Sequence, residues 1–187
     1  MPRHRGKFDP NRPEPYELSR KRVDDFIKCP ACFYMRQVEK IDFPSIPGFL
    51  LNEATDVLLK NYFNTYRESQ ECPPYLLEQG LDYLIPFKHD NFELWTQSLH
   101  FGAEGRMHTV VKEHNLKIGG GLDDVWMNTN TGALHIVDYK STSKTANGPE
   151  LLENIYAQAY KRQMDLYTWV MRRMGFEVSD TGYFLYV

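Results

Sequence analysis

The sequence predicts an α/β domain with a central mixed β-sheet flanked by helices, its elements in the order α-β-β-β-α-β. Three observations predict it. Strand-like runs at Thr109–Lys117, Gly121–Asn128 and Leu134–Lys140 follow one another closely. A long amphipathic helix comes next, over residues 150–174. Residues 182–187, Gly-Tyr-Phe-Leu-Tyr-Val, then read as a last strand.

The chain of 187 residues is the length of one domain and enough to bury a core. Its 42% hydrophobic and 25% charged residues are ordinary for a globular protein. No apolar run approaches the roughly 20 residues that a membrane helix needs, and the N-terminal stretch MPRHRGKFDPNRPEPYE lacks the apolar centre of a secretory leader. A cytoplasmic protein with no membrane partner is expected, and the sequence leaves its oligomeric state open. Three cysteines, Cys29, Cys32 and Cys72, do not make a disulfide scaffold. The net charge of −3 argues against a passive, non-specific nucleic-acid coat, which would be basic. It argues less against an enzyme whose acidic site is neutralised by metal. Basic residues gather at Arg3, Arg5 and Lys7 and again at Arg20, Lys21 and Arg22; both groups read first as solvated surface.

Residues 1–16, rich in Pro, Arg and Gly, are expected to form a flexible basic arm, and residues 17–187 a single domain. Ser19 is a suitable N-cap for a short helix over residues 20–28, with Val23, Phe26 and Ile27 at helical spacing and Pro30 ending it. Residues 40–49 read as a loop. Asn52 to Tyr66 reads as a helix with Ala54, Val57, Leu58, Tyr62 and Phe63 on one face. Residues 72–100 give no regular pattern, because Pro73, Pro74 and Pro86 interrupt it. In the strand Leu134–Lys140, Leu134, Ile136, Asp138 and Lys140 share one face, and His135, Val137 and Tyr139 the other. Asn128-Thr-Asn-Thr-Gly132 is a hairpin loop by composition. The long helix carries its stripe on Leu152, Ile155, Tyr156, Ala159, Leu166, Tyr167, Val170 and Met174, with Gly175 just past its end.

Chemistry concentrates in two places. Asp138 and Lys140 lie two apart on a strand face that is otherwise apolar, and burying such charges costs several kcal/mol unless they pair or bind metal. Across the hairpin, a turn centred between Asn130 and Thr131 brings Asp123 opposite Asp138, and one centred on Thr131 brings Asp124 there. Two converging carboxylates repel, and a hard divalent cation is the usual remedy. On the long helix, Gln163 falls inside the apolar stripe one turn before Tyr167, and a buried glutamine must find partners.

Taken together, Gly120-Gly-Leu-Asp123, Asp138-Tyr-Lys140 and Gln163-Met-Asp-Leu-Tyr167 resemble the Gly-x-x-Asp, Asp/Glu-x-Lys and Gln-x-x-x-Tyr motifs of the RecB-like branch of the PD-(D/E)XK nucleases. Leu18-Ser-Arg-Lys-Arg-Val and Cys29-Pro-Ala-Cys-Phe-Tyr34 are similar to the N-terminal part of that branch. The resemblance covers residues 17–187, apart from 67–105. It implies a restriction-endonuclease-like core and metal-dependent hydrolysis of nucleic acid, DNA above all. Asp123, Asp138 and the Tyr139 carbonyl would bind Mg²⁺ or Mn²⁺, the metal lowering the pKa of a bound water and polarising the phosphate. Lys140 would orient the water and offset charge on the phosphate. Gln163 would hold the lysine or the strand, with Tyr167 supporting it. Many members carry a histidine four residues after a glycine on the first core helix. In Gly48-Phe-Leu-Leu-Asn52 an asparagine stands there, a weaker ligand, with Glu53 and Asp56 as neighbouring alternatives. Asp124 and His108 complete the candidate set.

Other motifs carry less. Cys29-Pro-Ala-Cys32 has metal-ligand spacing, but a zinc site needs four ligands and no cysteine follows Cys72, so no iron–sulfur cluster is expected; packing at a helix end accounts for the pair. Gly119-Gly120-Gly121 lacks the lysine of a phosphate-binding loop and is expected to bend the strand or admit substrate. His100 and His108 read as ordinary histidines that the preceding segment could bring to the site. Two rival functions stand beside the nuclease: a nuclease-fold binding module with weak or no catalysis, and a protein in which Asp138 and Lys140 are only a stabilising ion pair.

Overall fold

The computed structural model describes residues 8–42, 44, 50–99, 102–141 and 157–187. The first five elements are β1 (Tyr16–Ser19), α1 (Arg20–Lys28), α2 (Pro30–Gln37), α3 (Leu50–Ser69) and α4 (Pro74–Glu78). After them come β2 (Leu84–Pro86), α5 (Phe92–Trp95), β3 (His108–Val111), β4 (Leu116–Gly119), β5 (Asp124–Asn128) and β6 (Leu134–Lys140). The chain ends with α6 (Ala157–Arg173) and β7 (Tyr183–Tyr186). The α/β class is as expected, but the strands form two mixed sheets. A three-stranded sheet has the order β1-β4-β3 and a four-stranded sheet the order β2-β5-β6-β7. No helix among the described residues is long and apolar enough to cross a membrane.

Several boundaries differ from the sequence reading, each for a local reason. The run Thr109–Lys117 is two strands, because Asn115 adopts a left-handed conformation (φ 50°) and folds β3 back on β4. The run Gly121–Asn128 begins pairing only at Asp124, after the glycines. Tyr16 opens β1, which pairs in parallel with β4, and residues 8–15 carry no helix or strand. Ser19 sits at the cap of α1 without a capping bond from its side chain. The buried residue of α1 is Asp24, while Phe26 and Ile27 are exposed. Pro30 does more than end α1: it is the first residue of α2, where a missing N–H costs nothing. Cys29 is half-buried rather than packed away, and its Sγ caps α2 by accepting the Cys32 N–H at 3.2 Å.

The hairpin and the last three elements follow the sequence closely. The β5–β6 register pairs Asp124 with Val137, so the turn is centred between Asn130 and Thr131, and Gly132 takes φ 76°. The strand β6 alternates as expected, with both faces buried. Leu134 and Ile136 join Val125, Met164, Tyr167 and Val170 in one core, while Val137 and Tyr139 join Phe63, Leu76 and Trp126 in the other. The long helix is described from Ala157; Leu152, Ile155 and Tyr156 lie outside the described residues. It ends where Gly175 takes φ 99°. Passing through this helix, the chain returns to lay β7 parallel to β6. The helix α3 buries Phe63 as expected but exposes the rest of the predicted face. Val57 and Leu58 are 54% and 69% exposed, and the side chains against the sheet are Leu59, Phe63 and Arg67, spaced four apart.

Candidate active site

The register that centres the turn between Asn130 and Thr131 continues one residue beyond the last ladder pair and places Asp123 opposite Asp138. Asp123 keeps some exposure, but its carboxylate faces inward against that of Asp138, which is 1% exposed. Burial and the neighbouring Asp138 charge push the Asp123 carboxyl up to about 7. The Tyr139 amide, donating to Asp123 Oδ2 at 2.9 Å, works in the opposite direction, as does the charge of Lys60.

Asp138 has partners on both oxygens. Gln163 Nε2 donates to Oδ1 at 2.5 Å, and the Lys140 ammonium forms an ion pair with Oδ2. The lysine amine also lies 4.7 Å from the centre of the Tyr160 ring. Gln163 therefore holds the aspartate, where the sequence reading had it holding the lysine or a strand. Tyr167 is buried beside the pair, and burial pushes its hydroxyl up to about 12 although the Arg20 guanidinium lowers it. It packs on Gly120: a Cβ there would come within 2.8 Å of the Tyr167 hydroxyl. A Cβ on Gly119 would lie 2.1 Å from the Met107 carbonyl oxygen. Close packing thus accounts for these two glycines, and neither a bend for substrate nor a phosphate cradle is needed to explain them.

The remaining candidates have other partners or are exposed. Asp124, next in the chain, points to the opposite face of the sheet and is fully buried. Its carboxylate accepts from Arg67 Nη2, Val125 N, Trp126 Nε1 and the Tyr139 hydroxyl, at 2.5 to 3.2 Å. Asn52 and Glu53 are exposed in the first turn of α3, and Asp56 pairs with Lys60 at 2.7 Å. His108 pairs with Gly119 in the smaller sheet and its ring nitrogen meets the Arg106 carbonyl at 2.9 Å. His100 lies outside the described residues. A cleft of about 460 Å³ opens beside the aspartates, lined by Lys60, Asn64, Arg67, Lys88, His89 and Asp123 among others.

Sequence reasoning missed Arg67, Lys60 and Arg20. Arg67 had a signal: it continues the four-residue spacing of Leu59 and Phe63, so a guanidinium falls inside a buried stripe. Lys60 and Arg20 had none, because a basic residue on a helix reads as solvent-facing.

Among the described residues no group of three or more His, Cys, Asp and Glu side chains gathers. A metal here would be held by two carboxylates with backbone or water oxygens. That set of hard oxygen donors fits Mg²⁺ or Mn²⁺, which bind through one or two carboxylates and keep several waters. It does not fit a structural zinc site. The raised Asp123 carboxyl has a consequence for the metal-free protein. Its folded pKa, about 7, lies above the unfolded value of about 4, so the stability it contributes is full below pH 4 and is lost as pH rises through 7. Urea unfolding of metal-free wild type at pH 5 and 7.5 is expected to show a larger loss of stability than Asp123→Asn shows. Parallel losses in the two proteins would contradict this.

No curated protein and no solved structure matches the chain. A family model described as the PD-(D/E)XK nuclease superfamily matches residues 74–186, more than half of it. That span runs from α4 to the end of β7 and takes in the aspartate pair, the lysine, Gln163 and Tyr167. By this match, the chain belongs to the PD-(D/E)XK nuclease superfamily.

Proposed function

We propose that this protein is a metal-dependent nuclease of the RecB-like branch that hydrolyses phosphodiester bonds, with DNA as its substrate. One observation carries the reading: the half-buried Asp123 and the buried Asp138 face each other with their carboxylates beside a lysine. A divalent cation removes the repulsion between them and, when bound, supplies an acidified water and a polarised phosphate. Asp123, Asp138 and the Tyr139 carbonyl would hold the cation. Gln163 fixes Asp138 in one rotamer by its hydrogen bond to Oδ1. Lys140 is positioned at Asp138 Oδ2, where its charge meets the phosphate oxygens as they become more negative. Nucleic acid approaches through the cleft beside Asp123.

The Lys140–Asp138 ion pair favours a second reading, in which the pair only stabilises the fold. That reading accounts for Asp138 and leaves the carboxylate facing it, Asp123, without a role. Purified protein is expected to degrade DNA with Mg²⁺ or Mn²⁺ and not with EDTA, on gels of linear, circular and single-stranded substrates. Mn²⁺ should support cleavage at least as well as Mg²⁺, because it tolerates imperfect ligand sets. Equal cleavage in EDTA would overturn the metal dependence.

A further inference from the structure

Across the four-stranded sheet from Asp138 lies a chain of buried polar groups, of which Arg67 and Asp124 also border the cleft beside Asp123. Asp124 is fully buried and Arg67 is 5% exposed. A buried ion pair is often no more stable than apolar side chains of the same volume, so its presence calls for a reason beyond packing. Its position suggests one. The β5–β6 ladder ends at Asp124 and Val137, yet the strands must stay together one residue further for Asp123 to face Asp138. Two consecutive aspartates do this, from the two faces of the sheet. Asp123 Oδ2 takes the Tyr139 main-chain N–H at 2.9 Å, and Asp124 Oδ2 takes the Tyr139 hydroxyl at 2.6 Å. Burial beside the Asp124 charge raises the Tyr139 hydroxyl well above its ordinary range, so it remains a donor.

The clasp is anchored in turn. Arg67 Nη2 meets Asp124 Oδ1, and its other nitrogens donate to the Phe87 carbonyl and, at 3.0 Å, to Asn64 Oδ1. The Arg67 guanidinium lies 3.6 Å from the centre of the Phe92 ring, and the Tyr139 ring stacks on Phe63 at 5.9 Å. We propose that Arg67, Asp124 and the Tyr139 hydroxyl are positioning residues for the Asp123 carboxylate, fixing from behind the sheet the strand segment against which it is aimed. The inference rests on the metal-site reading above. Partners that orient a ligating group in this way typically contribute about 10–100-fold in metal affinity or activity.

Tyr139→Phe tests this with one atom removed and the Phe63 stacking kept. Arg67→Lys keeps the charge and loses the fork that joins Asp124 to Phe87. Both would be compared with wild type by metal-free melting, Mn²⁺ affinity from calorimetry, and kcat and KM on DNA. Tyr139→Phe is expected to bind Mn²⁺ about tenfold more weakly and to lose kcat at fixed Mn²⁺, with KM for DNA near wild type. Higher Mn²⁺ should restore much of that kcat, and Arg67→Lys should shift the same way. If both variants only melt lower and bind Mn²⁺ as wild type does, the network is a fold clasp and the inference fails alone. If wild type itself binds no Mn²⁺, the metal-site reading fails and takes the inference with it.

Discussion

Lys140→Ala is expected to slow DNA cleavage by about 10²–10³-fold, the usual loss for one preorganised electrostatic group. Metal affinity should be kept or improved. A protonated lysine has only donors and cannot ligate a cation, and its removal frees Asp138 Oδ2 from an ion pair. The fold should survive, because the amine already lies near the surface: the side chain is 18% exposed and rests over Tyr160. Single-turnover cleavage beside calorimetric Mn²⁺ titration checks both halves. Loss of metal binding together with rate would contradict the role assigned to the lysine.

Asp124→Ala is expected to have the largest effect on stability, a loss of about 3–5 kcal/mol, as when one partner of a buried ion pair is removed. It strands the Arg67 guanidinium in a cavity between α3, α5 and β5 and leaves the Trp126 indole N–H and the Tyr139 hydroxyl without their acceptor. Asp124 and Asp123 are adjacent and chemically identical, so the contrast between them is informative. Asp123→Ala should cost little stability at neutral pH, since it removes a carboxylate that is repelled by Asp138. Urea unfolding of the two variants separates the roles, and equal losses would refute the assignment.

These roles were only partly legible in the sequence. The alternation of β6 and the loop Asn128–Gly132 left two registers open, and both aspartates remained candidates. The observed register settled the choice by placing Asp123 on the face of Asp138 and Asp124 on the other. Gln163 stood out because a polar side chain broke an apolar stripe, though its partner is the aspartate and not the lysine. The second sheet was not legible, because β1 is four residues long and pairs in parallel with a strand about a hundred positions away. Such pairing leaves no local periodicity. The face of α3 was misread for a related reason. Its first turns carry exposed Val57 and Leu58, and the real stripe of Leu59, Phe63 and Arg67 includes a guanidinium that hydropathy counts as surface. Likewise Asp24, buried against Arg162 and Lys28, and not Phe26, is the buried residue of α1, and with Arg20 beside Tyr167 it joins α1 to α6.

The central claim is that Asp123 and Asp138 form a metal centre and not half of a structural ion pair. Melting temperature with and without Mn²⁺, for wild type, Lys140→Ala and Asp138→Ala, tests it most directly. A metal centre predicts that wild type and Lys140→Ala melt higher in Mn²⁺ and that Asp138→Ala does not respond. It also predicts that metal-free Asp138→Ala melts near metal-free wild type, because relief of repulsion with Asp123 offsets the lost bonds to Gln163 and Lys140. The account is contradicted if both variants melt far below wild type and none of the three proteins responds to Mn²⁺.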